Sequence, residues 1–171
     1  MLDDMLNRAK IESPKELFVH SLGAALTMEN TVEGMLGELI QEANDAELKQ
    51  QLRHHREETQ AQIRNLRQAF QSLGMEPDER PCPAIEGIKK EGQANLNTAA
   101  DQLKDAVILA GAAETEHHEI AVYENLIVHA NAMGHEDIVA LLQENLEQEQ
   151  HTLGEVLKAT LKQAQKERVS A

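Results

Sequence analysis

Residues 109–123 read LAGAAETEHHEIAVY. At helical spacing Leu109, Ala113, Glu116, Ile120 and Tyr123 fall on one stripe, which continues through Ile127 and Ala130. An acid therefore stands in the middle of an aliphatic seam. A carboxylate among core positions is costly unless something neutralises it. Glu119 follows Glu116 by three residues and lies on the same side, one turn away. A second stripe through Glu114, His117, Ala121 and Val128 is smaller and less apolar, so Glu114 and His117 are expected to point away.

Working outward from this stretch, three further helical patterns carry the same interruption. The first begins at Ser13, Pro14 and Glu16, a cap, a first-turn proline and the acid of a capping box, and runs to about Ala43. Its seam is Phe18, Leu22, Ala25, Glu29, Val32, Leu36, Leu39 and Ala43. Asp45 is the expected cap of the second, which ends near Leu73 with Gly74 as a left-handed stop. Its seam reads Leu48, Leu52, His55, Thr59, Gln62, Leu66, Ala69 and Leu73, with Glu58 on the flank of the polar stretch. The fourth starts near Glu136 after Gly134, with Ile138, Leu142, Asn145, Glu149, Thr152, Val156 and Ala159 as its seam.

Between the second and third patterns lies a loop from Met75 to Pro83, then a short helix from Ala84 to about Glu91; Thr98 is the expected cap of the third helix. That connection is long for a helical hairpin. It lets the third helix start from the far end of the bundle, the crossover of ferritin-like folds. The expected architecture is all-α: a ferritin-like four-helix bundle with a long crossover and a short extra helix between helices 2 and 3. It forms one domain over residues 1–171, with its core at about 14–166.

Glu29, Glu58, Glu116 and Glu149 each lie near the middle of their helix. Midpoints align whether neighbouring helices run parallel or antiparallel, so the four acids are expected to meet at one level. Bare carboxylates there would repel or take up protons. Two divalent cations offset them, and a carboxylate-rich, sulfur-free site suits iron or manganese. Singly, each residue has a plainer reading. Glu29 reads as a seam-edge acid and Glu58 as a surface acid. Glu119 is balanced between ligand and solvated face. His55 reads as a hydrogen-bonded core histidine, Gln62 and Thr152 as hydrogen-bonding neighbours, and Tyr123 as a core tyrosine. The coincidence of four midpoints is what favours metal.

Composition narrows the remaining classes. Net charge is −14, which repels nucleic acid and anionic membranes and favours cations. Aromatics make up 2% with no Trp, so the core is aliphatic. Cys82 is the only cysteine, so no intrachain disulfide forms. Met1 to Ile11 is too charged for a secretory signal, and no apolar run reaches spanning length. These features lead to the expectation of a cytoplasmic protein.

The chain also resembles the YciF-like (YciE/YciF) ferritin-like family of bacterial stress-associated proteins. The likeness rests on Glu57, Glu58 and Thr59 with Gln62, on Cys82 to Gly87, on Glu116 to Ala121 with Tyr123, and on Leu141, Leu142 and Leu146 to Glu149 with Thr152. It spans roughly Leu17 to Leu157. It implies a ferritin-like bundle, usually dimeric, and a dinuclear metal site at Glu29, Glu58, Glu116, Glu119 and Glu149. The leading expectation for such a site is oxidation of bound iron by oxygen or peroxide, or peroxide disproportionation by manganese. Ferritins and rubrerythrins carry Glu-x-x-His on two helices, whereas here Glu58 is followed three later by Ala61 and Glu149 by Thr152. The rival to a redox or metal-handling protein is a non-enzymatic stress or scaffold protein whose buried polar layer is metal-free. Many alanines would also leave room for a long apolar ligand, though no residue demands one.

Overall fold

The computed structural model describes residues 10–170, with side-chain surroundings through residue 166. Five α-helices and one 3-10 turn make up its regular structure: α1 (Pro14–Glu42), α2 (Ala46–Ser72), α3 (Pro83–Thr98), the turn Asp101–Leu103, α4 (Lys104–Ala132) and α5 (Glu136–Ser170). No strand occurs among the described residues.

Helix ends follow the chemistry of their caps. The Ser13 hydroxyl accepts from the Glu16 N–H, and the Glu16 carboxylate reaches back to the Glu12 N–H at 2.8 Å. Asp45 accepts from the N–H groups of Glu47 and Leu48 at 2.8 and 3.2 Å. Such caps are each worth about 1 kcal/mol. α2 and α4 stop where Gly74 and Gly134 adopt φ of 71° and 75°, a region closed to most side chains.

Chain direction follows from a few long-range bonds. The buried Asp105 carboxylate, at the start of α4, accepts the backbone N–H groups of Asn44 and Asp45 at 2.7 and 3.0 Å. α4 therefore begins beside the α1–α2 turn, at the opposite end of the molecule from the end of α2. Lys166, near the end of α5, bonds Asp45 at 2.9 Å, so α5 finishes at that same end. The order is up, down, down, up, with residues 73–103 traversing the length of the bundle. This is the ferritin-like crossover expected from the sequence. Part of it presses closely on α1: Arg80 N–H donates to the Gly23 carbonyl at 3.1 Å, and a Cβ at Gly23 would stand 2.3 Å from the Asp78 carbonyl oxygen.

The core is aliphatic, built from Phe18, Leu22, Leu26, Val32, Leu66, Ile108, Leu126, Ile138 and Leu142, all but closed to solvent. Three expectations fail locally. α3 does not fade near Glu91 but continues to Thr98, because Ile85, Ile88 and Leu96 keep an apolar stripe running past Gly92 onto the core. Thr98 accordingly caps nothing. It ends α3, and its hydroxyl donates to the carbonyls of Ala94 and Asn95. The buried face of α4 is also rotated from the expected seam: Ala113, Ile120 and Ile127 are half-buried, while Ile108, Thr115, Glu119 and Leu126 are buried.

Candidate metal centre

Each long helix of the bundle sends acid or imidazole into one central layer. α1 supplies Glu29, α2 supplies His55, Glu58 and Gln62, α4 supplies Glu116, Glu119 and Tyr123, and α5 supplies Asn145, Glu149 and Thr152. Glu29, Glu119 and Glu149 have no solvent exposure, and Glu116 has 1%. One ligand atom from each of His55, Glu116, Glu119 and Glu149 lies within 4.8 Å of the other three. The site therefore brings together three of the five acids expected as ligands, together with His55.

Glu29 is equally buried but oriented by a different partner. Its Oε1 accepts the Tyr123 hydroxyl, which in turn accepts from Asn145 Nδ2 at 3.0 Å. Asn145 Nδ2 also donates to the Gln62 carbonyl at 3.3 Å, and its Oδ1 accepts from Asn65 Nδ2 at 2.8 Å. Asn65, Asn145, Tyr123 and Glu29 Oε1 thus form a hydrogen-bonded chain from α2 through α5 and α4 to α1. Asn145 stands in the α5 seam one turn before Glu149. Its polarity at a core position was the available signal for this role, which sequence reasoning did not assign.

Glu58 lies at the edge of the layer, with 18% of its side chain exposed. Its oxygens sit 3.5 Å from His54 Nε2 and 3.9 Å from His55 Nδ1. The His55 imidazole beside it holds its carboxyl below the usual value. His55 Nε2 stands 3.0 Å from Glu116 Oε1, though neither ring nitrogen is aligned as a hydrogen-bond donor. Burial alone would lower the His55 pKa; Glu116 and Glu58 outweigh it and leave the imidazole well above its ordinary value. His55 precedes Glu58 by three residues, so the imidazole missing from Glu-x-x-His arrives in reversed order, one turn earlier. His117 and Glu114 are exposed, as expected.

The remaining atoms of the layer have no partners. Both oxygens of Glu119, both of Glu149, Glu29 Oε2, Glu116 Oε2 and both side-chain polar atoms of Gln62 are buried without a hydrogen bond. Burial pushes the Glu119 and Glu149 carboxyls well above their normal range, and neighbouring carboxylates add to the effect. Burial also raises Glu29 to about 7, against the pull of its Tyr123 bond. Tyr123 is raised well above 10 by burial and by the Glu29 charge, so its proton stays on the phenol. Buried native polar groups are nearly always satisfied. Orphan carboxylate oxygens of three converging acids, Glu116, Glu119 and Glu149, with the His55 imidazole among them, fit the donor set of a hard or borderline divalent cation.

A family model described as a domain of unknown function (DUF892) matches residues 13–169. Protein YciF of Escherichia coli (strain K12) is 30% identical over 140 residues, 81% of this chain and 84% of that protein. The crystal structure of the E. coli stress protein YciF matches with a TM-score of 0.87 at 27% identity, covering 91% of this chain and 99% of that one. YcfI from Rhodopseudomonas palustris, provisionally described as a structural protein, matches with a TM-score of 0.83 at 37% identity, covering 86% of this chain and 94% of that one.

Proposed function

This chain is a YciF-like member of the DUF892 family, and on that premise we propose that it is a di-metal carboxylate protein, holding iron or manganese for redox or metal handling under stress. The observation that carries this reading is the set of buried, unpartnered oxygens of Glu116, Glu119 and Glu149 around His55. Those four residues would hold one ion, and Glu29 and Glu58 would extend the donor set toward a second. Bound iron or manganese would supply electron transfer to oxygen or peroxide, the small oxidant of this reading. The protein's own part is to fix the acids of the layer in place. The Asn65, Asn145 and Tyr123 chain orients Glu29 and keeps a proton on the phenol oxygen. Thr152, buried one turn beyond Glu149, closes the layer on the α5 side. The same proposal takes the protein to be a cytoplasmic homodimer with no nucleic-acid or membrane partner; among the described residues no helix is long and apolar enough to cross a membrane.

A metal-free polar layer is the second reading, favoured by the His55–Glu116 pair and by the completed chain from Asn65 to Glu29. It leaves Glu119 and Glu149 unexplained. Reconstitution with iron and with manganese, followed by elemental analysis and anomalous scattering, separates the two. The metal reading expects two ions per chain at these residues. Less than one ion per chain, with a melting temperature unmoved by chelator, would reject it.

A further inference from the structure

Beside the carboxylate layer the bundle is not filled. A cavity of about 770 Å³ lies between α1, α2, α4 and α5, with α3 along one side, in the half of the molecule nearest the α1–α2 turn. Its walls include the buried side chains of Val32, Leu36, Leu52, Ile108 and Leu109. Its inner end is formed by His55, Glu58 and Glu116. Its rim carries the exposed acids Glu38 and Glu42.

The volume lies within the range of small-molecule sites, about 300–1,000 Å³. It is far larger than oxygen, peroxide or a metal ion requires. The lining also excludes whole classes of ligand. It contains no Phe, Tyr or Trp, its only rings being the imidazoles of His54, His55 and His151, and Lys89 is its only Lys or Arg. Nucleotides and other phosphorylated molecules must pass the acidic rim, which opposes them. Aliphatic walls ending in a polar group match an alkyl chain with one polar end.

Two wall positions are glycines on different helices, Gly92 of α3 and Gly111 of α4, and a Cβ built on either meets nothing within 4 Å. The room is therefore real at both, and neither glycine is held there by a close backbone approach.

We infer that this cavity holds a single-chain aliphatic molecule, its alkyl chain along the walls and its polar head at His55, Glu58 and Glu116. The inference rests on the di-metal reading for what the head meets there; the cavity and its lining stand without it.

The test uses the full chain, once loaded with manganese and once freed of metal by chelator, and the fluorescent polyene fatty acid cis-parinaric acid as probe. Saturable binding near one probe per chain is expected, with displacement by dodecan-1-ol or by dodecanoate. Displacement by the alcohol alone assigns an uncharged head, and by the acid alone a carboxylate. Gly111→Leu and Gly92→Leu suit helices better than glycine, so they should fold. Each should weaken probe binding at least tenfold while leaving metal stoichiometry unchanged. Gly34→Leu, at an exposed α1 position away from the cavity, should leave probe affinity unaltered. Absence of saturable binding, failure of both competitors, or equal affinity in all three variants would overturn the inference. Metal retained without probe binding sinks this inference alone; probe binding in a protein that takes up no metal sinks the di-metal reading alone.

Discussion

Glu119 has two buried oxygens and a partner for neither. In the metal-free protein it is a liability, and Glu119→Leu should raise the melting temperature by about 3–6 °C, since replacing a buried charge with an apolar residue of similar size gains roughly 1–2 kcal/mol. The same variant should lose metal affinity, so calorimetry with chelator and with manganese should show shifts of opposite sign relative to the parent. Glu116→Leu should gain less, because it strands His55. Tyr123→Phe tests the neighbouring chain. It leaves Glu29 Oε1 and one Asn145 N–H unpaired, which should cost about 1–3 kcal/mol in urea denaturation. It also removes the bond that restrains Glu29 from below, so the Glu29 carboxyl should titrate above about 7, readable in its infrared carboxylate band. At this scale Glu116 and Glu149 were legible because each displaces an aliphatic residue outright. Glu119 was legible only in part: its spacing from Glu116 allowed a ligand, but on a flank the same acid reads equally well as solvated until the helix is turned.

At the scale of elements, that rotation explains what the sequence hid. The third long helix is rich in Ala and Gly near its middle, and small residues give almost no contrast between inner and outer faces. Its seam was therefore placed by its few large residues and came out slightly turned. α3 was cut short for a related reason: Gly92 occupies a position on its apolar stripe, so the period of Ile85, Ile88 and Leu96 loses a beat. By contrast the bounds of α1 and α2 and the start of α5 were legible, because Ser13, Asp45, Gly74 and Gly134 punctuate seams of large aliphatic residues, although Ile40 takes the buried place expected of Leu39. The crossover was legible from its length alone, but the residue that fixes its landing point was not. With the helix expected to start at Thr98, Asp105 fell inside it and carried no signal of a role. Its carboxylate holds two backbone N–H groups of the α1–α2 turn, and Asp105→Ala should cost about 2–3 kcal/mol by guanidinium denaturation. A value near zero would show that the start of α4 is held by packing instead.

For the molecule as a whole, the buried layer sets the pH dependence. Glu29 is raised from 4.5 to about 7, and Glu119 and Glu149 are raised as well. Above 4.5 the folded metal-free protein thus binds more protons than the unfolded chain, and stability falls as pH rises through 7. His55, held above 6.5, acts in the same direction. Below about 4.5 the sign reverses, because Glu58, Glu33 and Asp45 are held low and their contribution is lost as they protonate. With chelator, the melting temperature should therefore peak near about pH 5 and decline toward pH 8. Cations compete with protons for the same oxygens, so the rise in melting temperature on adding manganese should grow across that interval. Tyr123 adds a practical dividend at this scale. The chain has one tyrosine and no tryptophan, so its intrinsic ultraviolet emission originates entirely beside Glu29. Paramagnetic ions quench such emission at short range. Unlabelled protein in a stopped-flow fluorimeter should consequently report the filling and emptying of its own interior in real time.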